Sequence, residues 1–293
     1  MPEPAPSAAR TLRVGLTQWH ATRDIAANVA TARRMVRDTA AAGADLVLLP
    51  ENGLMLGTNT EMRDAALTLD SPELGALRQA AKDAGTAVVL GGFKHRGADA
   101  IHNTALVIDA DGAIAGGYDK IHLFDARIEG RSFEASGVET AGERPVLLKI
   151  AGTTVGLTIC FDVRFPELYR ALALAGAEVL LVPSAFTQRT GEAHWELLLR
   201  ARAVENAAYV VASATVRGAD DDAFPTYGHA LVAGPWGEVV TDLGERRAAW
   251  EVVELDLAEV ARRREMLPVL RSVRPGAYGV PAEIIDIDRG GRT

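Results

Sequence analysis

Cys160 is the only cysteine of the chain. It ends a strand expected over 155–159 and precedes Pro166, a good first-turn residue for a helix. That order puts the thiol on a sharp strand-to-helix bend, which presents a side chain, and unpaired N–H groups at the helix start can stabilise a thiolate or an oxyanion. A lone free cysteine is also, commonly, a small buried hydrophobe. Lys120 lies in YDKIHL, just beyond a strand and flanked by apolar residues that enclose it. An enclosed lysine needs a carboxylate; the alternative is a solvated surface lysine. Glu51 follows the apolar run 46–49, and ligands of α/β sheets gather beyond the carboxyl ends of strands. A carboxylate there serves as a base or caps a loop. Glu134, in RSFE, falls in an irregular stretch and says little alone.

These residues need elements to carry them. Alternation over 12–18 predicts a strand, and apolar residues at Ile25, Val29, Ala32, Val36 and Ala40 predict a helix that Gly43 ends. The run 46–49 is too short for a helix and reads as a strand buried on both faces. Ser71, Pro72 and Glu73 open a helix, and 86–90 form a buried strand that stops before Gly91 and Gly92. Residues 103–108 and 113–118 flank Asp-Ala-Asp-Gly, which is hairpin chemistry, and 146–150 and 155–159 flank Gly152 likewise. Helix 165–175, strand 179–182, helix 193–207 and strand 209–214 follow. Hairpin strands around Gly-Pro-Trp-Gly and a last strand over 250–255 complete the pattern. Helices interleave with parallel and hairpin strands, which predicts α/β architecture with two sheets between helical layers. The expected organisation is a disordered tail (1–10), one domain (11–267) and a Pro- and Gly-rich C-terminal extension (268–293).

With 31 basic and 39 acidic side chains in 293 residues, the net charge of −8 argues against nucleic acid as the partner. Apolar residues make up 48% without any run near the ~18 that a spanning helix needs, so membrane insertion is not expected. One cysteine builds neither an intrachain disulfide nor a thiolate metal site, which fits a reducing cytoplasm. No histidine pair has the i, i+4 spacing of a helical zinc site, and no metal is expected. His122 and His194 read as core hydrogen-bonding residues, Trp236 as turn packing, 220–222 as a solvated acidic loop and 262–264 as an exposed basic helix face.

Taken in order, LVLLPE ending at Glu51, YDKIHLFD around Lys120 and GLTICFDVRFPELYR around Cys160 resemble the nitrilase superfamily, the carbon-nitrogen hydrolases. The likeness continues through 183–214 and GHALVAGPWGEV, so it covers roughly 12–280. It implies a four-layer α-β-β-α sandwich that dimerises through helices near the active site. It also implies a catalytic set of Glu51, Lys120 and Cys160, with Glu134 as a second glutamate that orients Lys120 or positions water. By that resemblance Glu51 takes the thiol proton as Cys160 attacks an amide. Lys120 and the Phe161 N–H hold the oxyanion, and a thioester is hydrolysed without metal or organic cofactor.

Among the branches, YDKIHLFD, CFDVRFPE and TGEAHWELLLRARAVEN look most like the Nit amidases, which act on 2-oxo acid amides or deaminated glutathione. Such substrates carry carboxylates, for which the resemblance offers Arg164 and Thr190 as contacts; Arg164 can instead brace the helix start through Glu167. Phe161 stands where tyrosine is common in the family and Thr215 where many relatives have glutamine. The implied function is hydrolysis of a small linear amide by a cytoplasmic homodimer. The alternatives are an N-carbamoyl amino acid hydrolase and, in another class, an inactive scaffold that binds a partner protein.

Overall fold

The structure is a computed structural model that describes residues 10–128, 131–218 and 225–282. The tail over 1–9, the acidic run 220–222 and the end of the C-terminal extension lie outside the described residues.

Two mixed sheets face each other. In the first, the strand Thr11–Trp19 is central: Leu46–Leu48 pairs parallel to it, then come Ala87–Arg96, Ile101–Ile108 and Ile114–Asp119. Ala248–Asp256 pairs antiparallel along its opposite edge over nine residue pairs, and Ala214–Thr215 pairs parallel with its last two residues, Gln18 and Trp19. The second sheet runs Val146–Ile150, Thr153–Leu157, Val179–Leu181, Tyr209–Ala212, Leu231–Ala233 and Val239–Asp242 in spatial order. Thr153–Leu157, Val179–Leu181 and Tyr209–Ala212 run parallel.

The run 46–49 shows why four layers result. Leu46 and Leu48 enter the core between the sheets, with Leu12, Val14, Leu157 and Leu181. Val47 and Leu49 enter a second core against the helices Ile25–Ala41 and Pro72–Ala84. Strand side chains alternate, so a strand apolar at every position is covered on both faces. The helices Pro166–Leu174 and Gln188–Asn206 cover the second sheet through Leu168, Leu172, Trp195 and Leu199. The sandwich expected from the sequence is the fold observed.

Three expectations change. The strand over 86–90 does not stop at Gly91 and Gly92 but continues to Arg96, with a register shift between Leu90 and Phe93. A side chain at Gly91 would meet the Leu49 carbonyl oxygen at 2.3 Å, and one at Gly92 would meet Asn103 Oδ1 at 2.1 Å, so the glycines permit close approach rather than mark an end. His194 is exposed on the helix Gln188–Asn206 rather than embedded in the core. Ser71 occupies the N-cap position before Pro72, yet its hydroxyl makes no cap hydrogen bond.

Candidate active site

Cys160 sits where the strand Thr153–Leu157 has ended and a single 3-10 turn, Cys160–Arg164, leads into the helix from Pro166. Its φ is +48°, in the left-handed region that a non-glycine residue enters only when its surroundings enforce it. Asp162 provides the enforcement. Fully buried, it accepts from the Ile159 N–H (2.9 Å) and the Tyr118 hydroxyl (2.7 Å) with Oδ2. Its Oδ1 accepts from the His122 N–H (3.1 Å) and lies 2.8 Å from His122 Nδ1. The His122 ring stacks on Phe165 at 3.6 Å. The bend predicted from the sequence is present, and Asp162, two residues past the thiol, is its unpredicted brace.

Glu51, buried at 3% exposure, lies past the end of Leu46–Leu48. Lys120 Nζ (2.8 Å) and Asn103 Nδ2 (2.9 Å) donate to its Oε1, and the Ala185 N–H donates to its Oε2 (2.8 Å). Asn103 links the two partners, since its carbonyl also accepts the Lys120 backbone N–H at 2.8 Å. Lys120, one residue beyond Ile114–Asp119, is 4% exposed. The sequence argument that an enclosed lysine requires a carboxylate is met by Glu51.

The electrostatics assign protons. Burial alone would raise the Glu51 carboxyl, but the Lys120 ammonium, with Lys94 and the thiol, outweighs it and holds Glu51 below the usual glutamate value. Burial likewise opposes the Lys120 charge, and Glu51, Cys160 and Glu139 overcome it, so Lys120 stays protonated. The Cys160 thiol is pushed up, first by burial and then by the Glu51 charge, against the smaller pull of Lys120. At neutral pH the resting site is therefore carboxylate, ammonium and neutral thiol, with the carboxylate and the thiol lining one cleft and each shifting the other's proton affinity. This arrangement can pass a proton from sulfur to Glu51 as sulfur attacks.

All three residues line one cleft of about 620 Å³, mouth included, together with Phe124, Phe133, Phe161, Arg164, Phe186 and Thr190. Phe161 stands edge-on to Phe124 and Phe165. Arg164 lies over the Phe186 ring, 5.2 Å from its centroid, and its guanidinium nitrogens are 3.3 Å from His194 Nδ1. It pairs with no carboxylate among the described residues, so it does not brace the helix through Glu167. Thr190 meets the Thr187 hydroxyl at 2.6 Å.

Glu134, expected from the sequence beside Lys120, does not line the cleft in this structure. It ends Arg131–Glu134, a strand of the hairpin with Asp125–Ile128, and strand alternation turns Phe133 toward the cleft and Glu134 to solvent, where it accepts from Ser132 Oγ at 2.9 Å. The second glutamate of the cleft is Glu139. It is buried, lies beyond the turn Ala135–Gly137, and is paired with the equally buried Lys94.

A carboxylate, an ammonium and a thiol thus converge in one cleft from three distant segments of the chain. The carbon-nitrogen hydrolase family model matches residues 13–265. The chain belongs to the carbon-nitrogen hydrolase family. It is 39% identical over 275 residues to a nitrilase and fragile histidine triad fusion protein of Caenorhabditis elegans, covering 90% of this chain but 61% of that protein. It is 37% identical to the deaminated glutathione amidase of Mus musculus (91% and 84% covered) and 34% identical to the chloroplastic omega-amidase of Arabidopsis thaliana (99% and 78%). The crystal structure of the worm protein superposes with a TM-score of 0.85 at 36% identity, over 93% of this chain and 67% of that one. Like these hydrolases, the chain is an enzyme of amide chemistry. Among the described residues no helix is long and apolar enough to cross a membrane.

Proposed function

We propose that the protein hydrolyses a small linear amide bearing a carboxylate, to acid and ammonia, through a thioester on Cys160. The observation that carries this reading is the Glu51 carboxylate, held by Lys120, Asn103 and the Ala185 N–H in the wall of the cleft that Cys160 also lines. Cys160 attacks the amide carbon while its proton passes to Glu51. Lys120 Nζ and the Phe161 N–H receive the negative oxygen of the tetrahedral adduct, a contribution of ~3 kcal/mol for one such donor. Glu51 then gives the proton to the departing nitrogen, so ammonia leaves and the carboxylate is regenerated. Water attacks the thioester with Glu51 again as base; the acid departs and the thiol is restored. Each half-reaction balances its own proton, and the residues present account for every transfer.

Arg164 is the substrate anchor in this reading. A guanidinium without a carboxylate partner among the described residues, seated on an aromatic ring in the cleft wall, suits a carboxylate brought by the substrate. The relatives named deaminated glutathione amidase and omega-amidase support an acid-bearing amide. Ammonia release from 2-oxoglutaramate, deaminated glutathione and N-carbamoyl-β-alanine tests the assignment: preference for the first two upholds it, and preference for the third makes the enzyme a carbamoyl hydrolase.

The helices Pro166–Leu174 and Gln188–Asn206 expose Leu174, Leu197 and Val204, and we assign this face to a homodimer, to be tested by light scattering. The single buried thiol suits a reducing cytoplasm, and residues 268–293 are read as an extension of the hydrolase domain.

A further inference from the structure

Lys94 and Glu139 are a second buried ion pair in the wall of the same cleft, with side chains 6% and 3% exposed. Lys94 stands directly across from Asn103 in the antiparallel pair of strands, on the face that carries Glu51's amide partner. Glu139 is pinned by its backbone: its N–H and that of Val138 donate to the Ala135 carbonyl, the Thr140 N–H to Ile101, and the Gly142 N–H to Lys120. Lys94 Nζ binds Glu139 Oε1, while Oε2 is buried and has no hydrogen-bond partner. Glu51 contrasts with it, since both of its oxygens are engaged by the chain. A buried carboxylate oxygen left open is costly, and such an atom in a functional cleft calls for a donor that arrives with the ligand.

We propose that Lys94 is a positioning residue that acts through Glu139: it fixes one carboxylate oxygen and leaves the other as the acceptor for an N–H of the reacting amide. This rests on the amidase reading above. A primary amide brings two N–H donors, whereas an ester brings none and would set its oxygen lone pairs against a carboxylate. The pair therefore selects amides over esters of the same acid. Lys94 also balances Glu139, so that the two carboxylates of the cleft face two ammonium groups and the Arg164 guanidinium is left for the substrate. Removing Lys94 alone leaves Glu139 an uncompensated buried charge, whereas removing both partners does not.

The test compares kcat and KM on the monoamide and the monomethyl ester of one dicarboxylic acid. Lys94→Met is expected to lower kcat/KM on the amide by about 10- to 100-fold, the scale of a lost hydrogen bond to a charged group, with the ester changed less than about threefold. Lys94→Arg keeps the cation and is expected to retain most of the amide preference. Should Lys94→Met fail to fold, the double variant Lys94→Met with Glu139→Leu carries the same comparison and is expected to lose the same preference. Equal losses on amide and ester, or an amide-to-ester ratio unchanged from wild type, would overturn the proposal while leaving the amidase reading intact. A wild-type enzyme inert toward both substrates would overturn both.

Discussion

Glu51→Gln separates two properties of the thiol that are usually expected to move together. The substitution keeps the side chain's shape but removes the charge that receives the Cys160 proton and opposes the Cys160 anion. Loss of a general base lowers kcat by about 10²- to 10⁴-fold. The thiol itself moves the other way. A carboxylate about 4 Å from a thiolate, at an effective dielectric near 20, disfavours ionisation by about 4 kcal/mol, roughly 3 pH units. With Glu51 neutral, burial still raises the thiol but Lys120 still pulls it down, so the midpoint of ionisation falls. The chain's single cysteine makes the assay clean: thiolate ultraviolet absorbance is followed against pH beside ammonia release. The expected result is a slower enzyme with a more acidic thiol. A wild-type thiolate already formed at neutral pH, or a variant midpoint above the wild type's, would refute the proton assignment.

Arg164→Met is expected to raise KM for carboxylate-bearing amides by about 10- to 100-fold with kcat little changed, while an uncharged amide is unaffected; equal effects on both substrates contradict the anchor role. Asp162→Ala strips acceptors from the Ile159 N–H, the Tyr118 hydroxyl and His122, and is expected to cost about 3 kcal/mol of stability, read by urea unfolding. Glu134→Ala is expected to change kcat/KM by less than about twofold, as for exposed positions away from the site; a large loss would restore it to the mechanism. The Glu51–Lys120 pair also sets a stability window. Glu51 is depressed, so its contribution is present above the ordinary glutamate value and is lost as pH falls through the folded one. Lys120 is raised, so its contribution is full below the ordinary lysine value and is lost as pH rises through the folded one. Melting temperatures of wild type and Glu51→Gln are expected to converge in acid and differ most between those limits.

The apolar runs made the layers legible. Residues 46–49 are apolar at every position, and only a strand covered on both faces uses such a run in that way. Strand ends made Cys160, Lys120 and Glu51 candidates, and the order of the three motifs that resemble the family made them a set. Lys94 was hidden by Gly91 and Gly92, which read as a strand end; their real task, close approach to Leu49 and Asn103, needs a partner that local sequence does not show. Glu139 was hidden because two glutamates flank one turn, and only the hairpin register decides that Phe133 faces inward and Glu134 outward. Asn103 gave no signal at all, since its function arises from the strand opposite and from a glutamate 52 residues away.

The central claim is that sulfur, not water, first opens the amide. Rapid-quench mass spectrometry during turnover of a carboxylate-bearing amide, followed by peptide mapping, tests it. The account predicts an acyl group on the peptide containing Cys160, formed before ammonia release is complete and decaying as acid accumulates. Turnover at the full rate with that peptide unmodified at every quench time, or an acyl group on another residue, would contradict it.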